Sequence, residues 1–251
     1  MPYFPFENKN IFYNISGEGQ PLLLLHGNTA SSVMFESLID KYSQDFQVIV
    51  IDFPGHGQSD RLERFEVDFW NYNAKACKQL LDFLALDKVS VIGASGGALV
   101  GINLALEYPE RIQYLVADSF EGEILLNSYL NSLPNNREQG KNNDYAKSFW
   151  FNNHGDDWER IVDLDTEMLL NFSRLNKSFF NKPISALTVP TLITGSKQDE
   201  FCDHLDVIYS DLKKKNDMLE IHLFDKGNHP AMLSNANEFY QIVKREIISK
   251  E

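Results

Sequence analysis

Long apolar runs are missing from this chain. The longest are about five residues, whereas a membrane-spanning helix needs about 20. The first residues, Met1-Pro2-Tyr3-Phe4-Pro5-Phe6-Glu7, have neither a basic start nor an apolar stretch of signal-peptide length, so no secretory leader is expected. Cysteine is scarce too. Cys77 and Cys202 are the only two, too few for a disulfide framework and in no metal-binding or redox spacing. A reduced, cytoplasmic protein that does not engage a membrane is the simplest expectation. Positive charge is also short: 23 Lys and Arg stand against 36 Asp and Glu, a net charge of −13. Nucleic-acid binders carry basic patches, and the run Lys213-Lys214-Lys215 is brief and flanked by Asp211 and Asp217. It reads as a solvated helix end. The acidic field also slows the approach of polyanionic substrates. A small-molecule substrate is expected, with no nucleic-acid partner.

The 251 residues include 43% hydrophobic ones, enough for one sizeable core. Short apolar runs recur: Leu22–Leu25, Val48–Ile51, Val89–Ile92, Tyr114–Val116, Pro190–Thr194 and Ile221–Phe224. They lack clean alternation, as do strands covered on both faces of a parallel sheet. Helical patterns separate most of them: one ending on Leu80, Leu81, Leu84 and Leu86, one on Leu99, Ile102 and Leu106, and a last one on Phe239, Ile242, Val243 and Ile247. Repeated strand–helix units argue a doubly wound α/β sheet. The start, around Ile11–Ile15, reads as part of an antiparallel edge hairpin.

This rhythm stops between about 120 and 182. Six asparagines fall within 127–143, together with Pro134 and Gly140, which predicts a loop-rich start. Aromatic and apolar residues follow in weakly helical spacing: Phe149, Trp150, Phe151, Trp158, Met168, Phe172, Phe179 and Phe180. The segment reads as a helical cap inserted into a core made of 1–119 and 183–251.

The strongest local signal is Gly93-Ala94-Ser95-Gly96-Gly97, a G-x-S-x-G between a strand and a helix. A serine on such a turn is held in a strained backbone conformation with its hydroxyl raised above the sheet. Small neighbours are required where strand and helix crowd it, and the helix N-terminus directs free N–H groups at the site. The idle alternative is a structural glycine turn.

A nucleophilic serine needs a base. Of six histidines, His229 lies in Asp225-Lys226-Gly227-Asn228-His229-Pro230, just past the last strand. That is the carboxyl edge of the sheet, where α/β sites form. A third group must orient the imidazole and stabilise its cation. Asp199 follows the strand ending at Gly195, and the order Ser95, Asp199, His229 is the one expected for this motif. Glu200 and Asp118 remain competitors for that position. Oxyanion donors are expected from the Gly96 amide and from the loop His26-Gly27-Asn28-Thr29, through the Asn28 amide. His26 reads as structural. The Gly-rich turn Asp52–Asp60 lacks a phosphate-loop ending, and its Asp52/His56 pair has no metal-site partner in sequence. No metal is expected.

Taken in order, His26-Gly27-Asn28, Asp52-Phe53-Pro54-Gly55-His56-Gly57-Gln58-Ser59, the serine motif, Ala105-Leu106-Glu107-Tyr108-Pro109-Glu110-Arg111 and Gly227-Asn228-His229-Pro230 resemble the α/β-hydrolase family, in its serine, carboxylesterase-like branch. The resemblance covers nearly the whole chain outside 120–182. It implies an eight-stranded, mostly parallel sheet, a cap after the sixth strand and no cofactor. Two departures stand out. Gly195 to Asp199 is one residue longer than the common G-x-x-D, which keeps Asp118 open. His26-Gly27-Asn28-Thr29 also resembles the haloalkane dehalogenase branch, whose nucleophile is an aspartate. Ser95 cannot form the alkyl-ester intermediate of that chemistry, so dehalogenase and epoxide hydrolase activity are not expected.

The resulting expectation is a serine hydrolase that cleaves a carboxylic ester or related acyl bond of a small apolar substrate through an acyl-enzyme. Thioester, lactone and C–C bond cleavage on the same triad are alternatives. A non-catalytic receptor on the same fold is the rival from another class.

Overall fold

The computed structural model describes residues 2–125 and 127–248. Met1, Leu126 and the last three residues, assigned above to core and cap, lie outside them. In chain order the elements are β1 (Tyr3–Phe6), β2 (Lys9–Ser16), β3 (Gln20–Leu25), α1 (Glu36–Tyr42), β4 (Phe46–Ile51), α2 (Phe69–Phe83), β5 (Val89–Ala94), α3 (Gly96–Glu107), β6 (Ile112–Asp118), α4 (Asn127–Lys141), α5 (Asp144–His154), α6 (Trp158–Ser173), β7 (Thr191–Ser196), α7 (Leu205–Lys215), β8 (Leu219–Phe224), α8 (Ala231–Ser234) and α9 (Ala236–Ile248).

The sheet has eight strands in the order β1-β2-β4-β3-β5-β6-β7-β8. β1 and β2 pair antiparallel at one edge, and β2 pairs antiparallel with β4. Every other pairing is parallel. The burial of the interior runs explains their lack of alternation, whereas β8 lies at the sheet edge and leaves Ile221 exposed. Leu22 and Leu24 face one apolar layer, Leu23 and Leu25 the other, and all four are fully buried. Val48 and Val50 divide from Ile49 and Ile51 in the same way. Each such side chain contributes about 1.5–3 kcal/mol when it leaves water, so both faces must be covered. α2, α3 and α7 cover one face, and α1 and α9 the other.

Three helices, α4, α5 and α6, intervene between β6 and β7. The loop expected from the asparagine-rich stretch is a helix instead: α4 runs through Pro134. Tertiary packing overrides the weak propensity. Leu130, Leu133 and Arg137 recur at helical spacing; the two leucines pack into the core, and Arg137 pairs with Asp165 of α6. A second correction concerns α2, which stops at Phe83. Leu84 and Leu86 lie beyond it, in a turn whose Ala85 takes φ +52°. Among the described residues, no helix is long and apolar enough to cross a membrane.

Candidate active site

Ser95 stands between β5 and α3 with φ +56° and ψ −124°, a conformation that costs a non-glycine residue on the order of 1–3 kcal/mol. Its surroundings enforce it. The Ser95 N–H donates to the Asp118 carbonyl at 2.8 Å, and its own carbonyl accepts from the Ala98 N–H at 2.8 Å. The flanking glycines permit the close approach: a Cβ at Gly97 would collide with the Leu25 carbonyl of the neighbouring strand.

His229 follows β8, and its Nδ1 lies 2.9 Å from Asp199 Oδ2. Asp199 is itself well held, because its Oδ1 accepts from the backbone N–H groups of Phe201 and Cys202, each at 2.9 Å. Burial alone would push this carboxyl up. The His229 hydrogen bond, the charge of that imidazole and the two N–H donors outweigh it, and hold Asp199 below the usual carboxylate range. An ionised Asp199 keeps the imidazole proton on Nδ1 and leaves the Nε2 lone pair free. Burial disfavours the charged imidazole, yet the Asp199 contact and the charges of Asp199, Asp118 and Glu121 prevail and raise its pKa above 6.5.

The competing acids are occupied elsewhere. Glu200 Oε2 accepts from the His229 backbone N–H at 2.9 Å. Asp118, fully buried, accepts from Thr194 Oγ1 at 2.7 Å and from the Met232 N–H at 2.8 Å. Burial moves its pKa up to about 6 against those donors. β7 stays paired with β8 through Ser196↔Phe224, one residue beyond Gly195, and the turn to Asp199 follows it.

The loop after β3 faces the serine turn. A Cβ on Gly96 would run into Asn28 Oδ1 and would lie 3.1 Å from the Asn28 nitrogen, so the two residues expected to hold an oxyanion are neighbours. His26 anchors this loop. Its Nε2 accepts from the Phe53 N–H at 3.0 Å, so Nδ1 carries the proton and donates to the Gly27 carbonyl at 2.8 Å. Burial moves its pKa down to about 3. The Asp52–Asp60 turn is structural in its contacts: Asp52 accepts from the Ser32 and Gln58 N–H groups, and His56 stacks on Phe65.

The helices between β6 and β7 grip the same loop. Asn28 Nδ2 donates to Asp165 Oδ1 at 2.7 Å, and Arg137 donates to Asp165 Oδ2 at 2.7 Å. Trp150 Nε1 and Arg137 both donate to Thr29 Oγ1. Asn153 Oδ1 accepts from both the N–H and the hydroxyl of Ser31. His154 Nδ1 accepts from the Gly57 N–H, and its Nε2–H donates to the Thr29 carbonyl.

Between these helices and the sheet lies a cavity of about 560 Å³, lined by Asn28, Ser95, Gly96 and His229 among others. Phe149 and Trp150 of α5 also line it. Trp158 stacks on Trp150 behind the wall, and Phe172 and Phe179 stack on each other and against Trp70. Sequence reasoning missed Asp165, Arg137, Glu121 and Cys202. Asp165 carried a signal: it interrupts the buried stripe Ile161, Val162, Met168, Leu169 and Phe172 of α6. A carboxylate on an apolar face needs a partner.

The chain belongs to the alpha/beta hydrolase fold family, whose model matches residues 20–146, half of its length. It is similar to a pimeloyl-[acyl-carrier protein] methyl ester esterase of Legionella pneumophila, 35% identical over 107 residues, covering 43% of this chain and 41% of the relative. It is also similar to a 2-hydroxy-6-oxo-6-phenylhexa-2,4-dienoate hydrolase of Comamonas testosteroni, 32% identical over 110 residues, 42% of this chain and 38% of the relative. The match thus spans about two fifths of the length of those relatives. A meta-cleavage product hydrolase structure from Pseudomonas fluorescens superposes on 97% of this chain and 95% of its own, with a TM-score of 0.78 at 21% identity. That likeness concerns the fold.

Proposed function

We propose that this hydrolase-fold protein is a serine hydrolase that cleaves a carboxylic ester or related acyl bond of a small, largely apolar molecule. The observation that carries the reading is the convergence of Ser95 and His229 on one cavity, with His229 Nδ1 held 2.9 Å from Asp199. In this reading His229 Nε2 takes the Ser95 proton as Oγ attacks the substrate carbonyl. The Asn28 and Gly96 amides hold the oxyanion. The imidazolium, balanced by Asp199, protonates the leaving group, and water then cleaves the acyl-enzyme by the same base.

The named relatives include an ester and a C–C bond hydrolase, so C–C cleavage, thioester and lactone hydrolysis remain alternatives on the same residues. A receptor without turnover would keep its role in Ser95→Ala. The test is intact-mass labelling with a small fluorophosphonate. A single adduct is expected on the wild type, mapped to Ser95 and absent from Ser95→Ala and His229→Ala. A wild-type chain that stays unlabelled while folded would overturn the reading in favour of the receptor. An ester and thioester chain-length series then separates the substrates.

A further inference from the structure

The two cysteines stand far from any metal-binding spacing in sequence, yet the fold carries one of them to the base. Cys202 lines the same cavity as His229. Its Sγ, the His229 imidazole and the Asp199 carboxylate place one ligand atom each within 4.8 Å of one another. We propose that Asp199, Cys202 and His229 form a binding site for a thiophilic divalent cation such as Zn²⁺, and that its occupation shuts the base off. The inhibitory half rests on the serine-hydrolase reading; the binding half does not.

The donor set is a soft thiolate, an imidazole and a carboxylate, the mixture that selects zinc and its heavier congener over magnesium or calcium. Bound at about 2.0–2.3 Å in a tetrahedron, such donors stand roughly 3.3–3.8 Å apart. The His229 and Asp199 atoms, now at 2.9 Å, need to part by a few tenths of an ångström. Cys202 Sγ has little to lose, since among the described residues its hydrogen-bond contact is a long 3.9 Å one to the Ser119 carbonyl. The field is favourable as well. Glu121, Glu200 and Asp203 line the same cavity, and their carboxylates attract a cation.

The consequence for the base follows from proton accounting. Cys202 gives up its thiol proton to solvent as the S–metal bond forms. A cation on Nδ1 needs the lone pair there, so the imidazole proton moves to Nε2. The net release is one proton per cation. An imidazole protonated on Nε2 cannot accept the Ser95 proton, so hydrolysis stops until the cation is removed by a chelator.

The experiment titrates the full chain with Cd²⁺, a spectroscopic substitute for Zn²⁺, and follows the thiolate-to-cadmium charge-transfer band in the ultraviolet. In parallel, fluorophosphonate labelling is timed with Zn²⁺, Mg²⁺ or Ca²⁺ present, each variant being compared with its own metal-free rate. The wild type is expected to show a saturable band and chelator-reversible protection from labelling by Zn²⁺ alone. Cys202→Ser should lack the band and need at least about tenfold more Zn²⁺ for protection. Asp199→Asn should weaken the band, which keeps the test alive if Cys202→Ser fails to fold. No saturable band on the wild type, or a band unchanged in Cys202→Ser, overturns the site. A wild-type band with labelling untouched by Zn²⁺ leaves thiolate binding standing and overturns the inhibitory effect, while the labelling itself still supports the serine-hydrolase reading. A chain that never labels still reports the site through the band.

Discussion

Asn28 Nδ2 donates to Asp165 Oδ1 at 2.7 Å, across 137 residues of chain. This contact ties the loop beside Ser95 to α6, and Arg137 of α4 closes the set by pairing with the other carboxylate oxygen. The Asp165 side chain is fully buried and that of Arg137 nearly so. Burial pushes the Asp165 carboxyl up, while Arg137 and the Asn28 amide pull it down. A pair of this kind costs desolvation, so its net contribution to stability is small, whereas breaking it strands a charge.

Replacing one partner should therefore destabilise more than replacing both. Arg137→Met leaves Asp165 buried without its cation, a loss of about 3–5 kcal/mol. Arg137→Met combined with Asp165→Leu should recover most of that. Urea unfolding of the two singles and the double measures it; additive losses would show that the two side chains act independently.

Gly96→Ala tests the serine turn from the other side. A methyl there meets Asn28 Oδ1 first and then crowds the Asn28 nitrogen at 3.1 Å. The loop must shift, and one oxyanion donor with it. Turnover should fall about 10²–10³-fold, the usual cost of one such donor, with KM changing far less. Steady-state kinetics on a reporter ester decides this, and an unchanged kcat would place the oxyanion elsewhere.

The acid of the proposed triad is separable by mutation. Asp199→Asn removes the charge that orients His229 and should lower turnover by about 10⁴-fold while the fold persists. Asp118→Asn disturbs a buried carboxylate that accepts from Thr194 and Met232. It should cost about 1–3 kcal/mol of stability and far less activity. Rates and melting temperatures of both variants must move in opposite order; if Asp118→Asn is the inactive one, the assignment reverses.

Much of this arrangement was legible in the sequence because it rests on local rules. The runs at Leu22–Leu25 and Val48–Ile51 are apolar on both faces because both faces are covered. Ser95 sits in a turn that small flanking residues make possible. The parts that were not legible depend on contacts distant in sequence. Asparagines argue against a helix at α4, and among the described residues the packing of Leu130 and Leu133 and the pairing of Arg137 favour one. Cys202 has no meaningful spacing to His229 along the chain; β7 and β8 pair side by side and bring the ends of both strands together. The extra residue before Asp199 left Asp118 open in sequence, and the 2.9 Å contact of Asp199 with His229 is one that the spacing does not encode.

Ser95→Gly should be more stable than Ser95→Ala. Both lose the hydroxyl, but alanine keeps a Cβ at φ +56° and glycine does not. Release of that strain is worth on the order of 1–3 kcal/mol, read as a higher unfolding midpoint. Equal midpoints would mean that the strain is no larger than the backbone-entropy cost of glycine, about 0.5–1 kcal/mol.

The pH profile of kcat/KM should carry its acid limb above pH 6.5. Burial opposes the His229 cation, but the Asp199 hydrogen bond and the charges of Asp199, Asp118 and Glu121 overcome it and raise the pKa. The base must be neutral to act, so activity is low below the raised pKa and rises as pH passes through it. Glu121 lines the cavity, and Glu121→Gln withdraws one of the charges that favour the imidazolium. The limb should then move to lower pH, because the cation loses support and deprotonates earlier. Glu200, whose contact is to the His229 backbone, should shift it less when changed to Gln. Rates collected from pH 5 to 8 on the wild type and these two variants test the ordering. A flat wild-type profile over that range would remove His229 from the mechanism, and a limb that moves upward in Glu121→Gln would contradict the electrostatic account of its position.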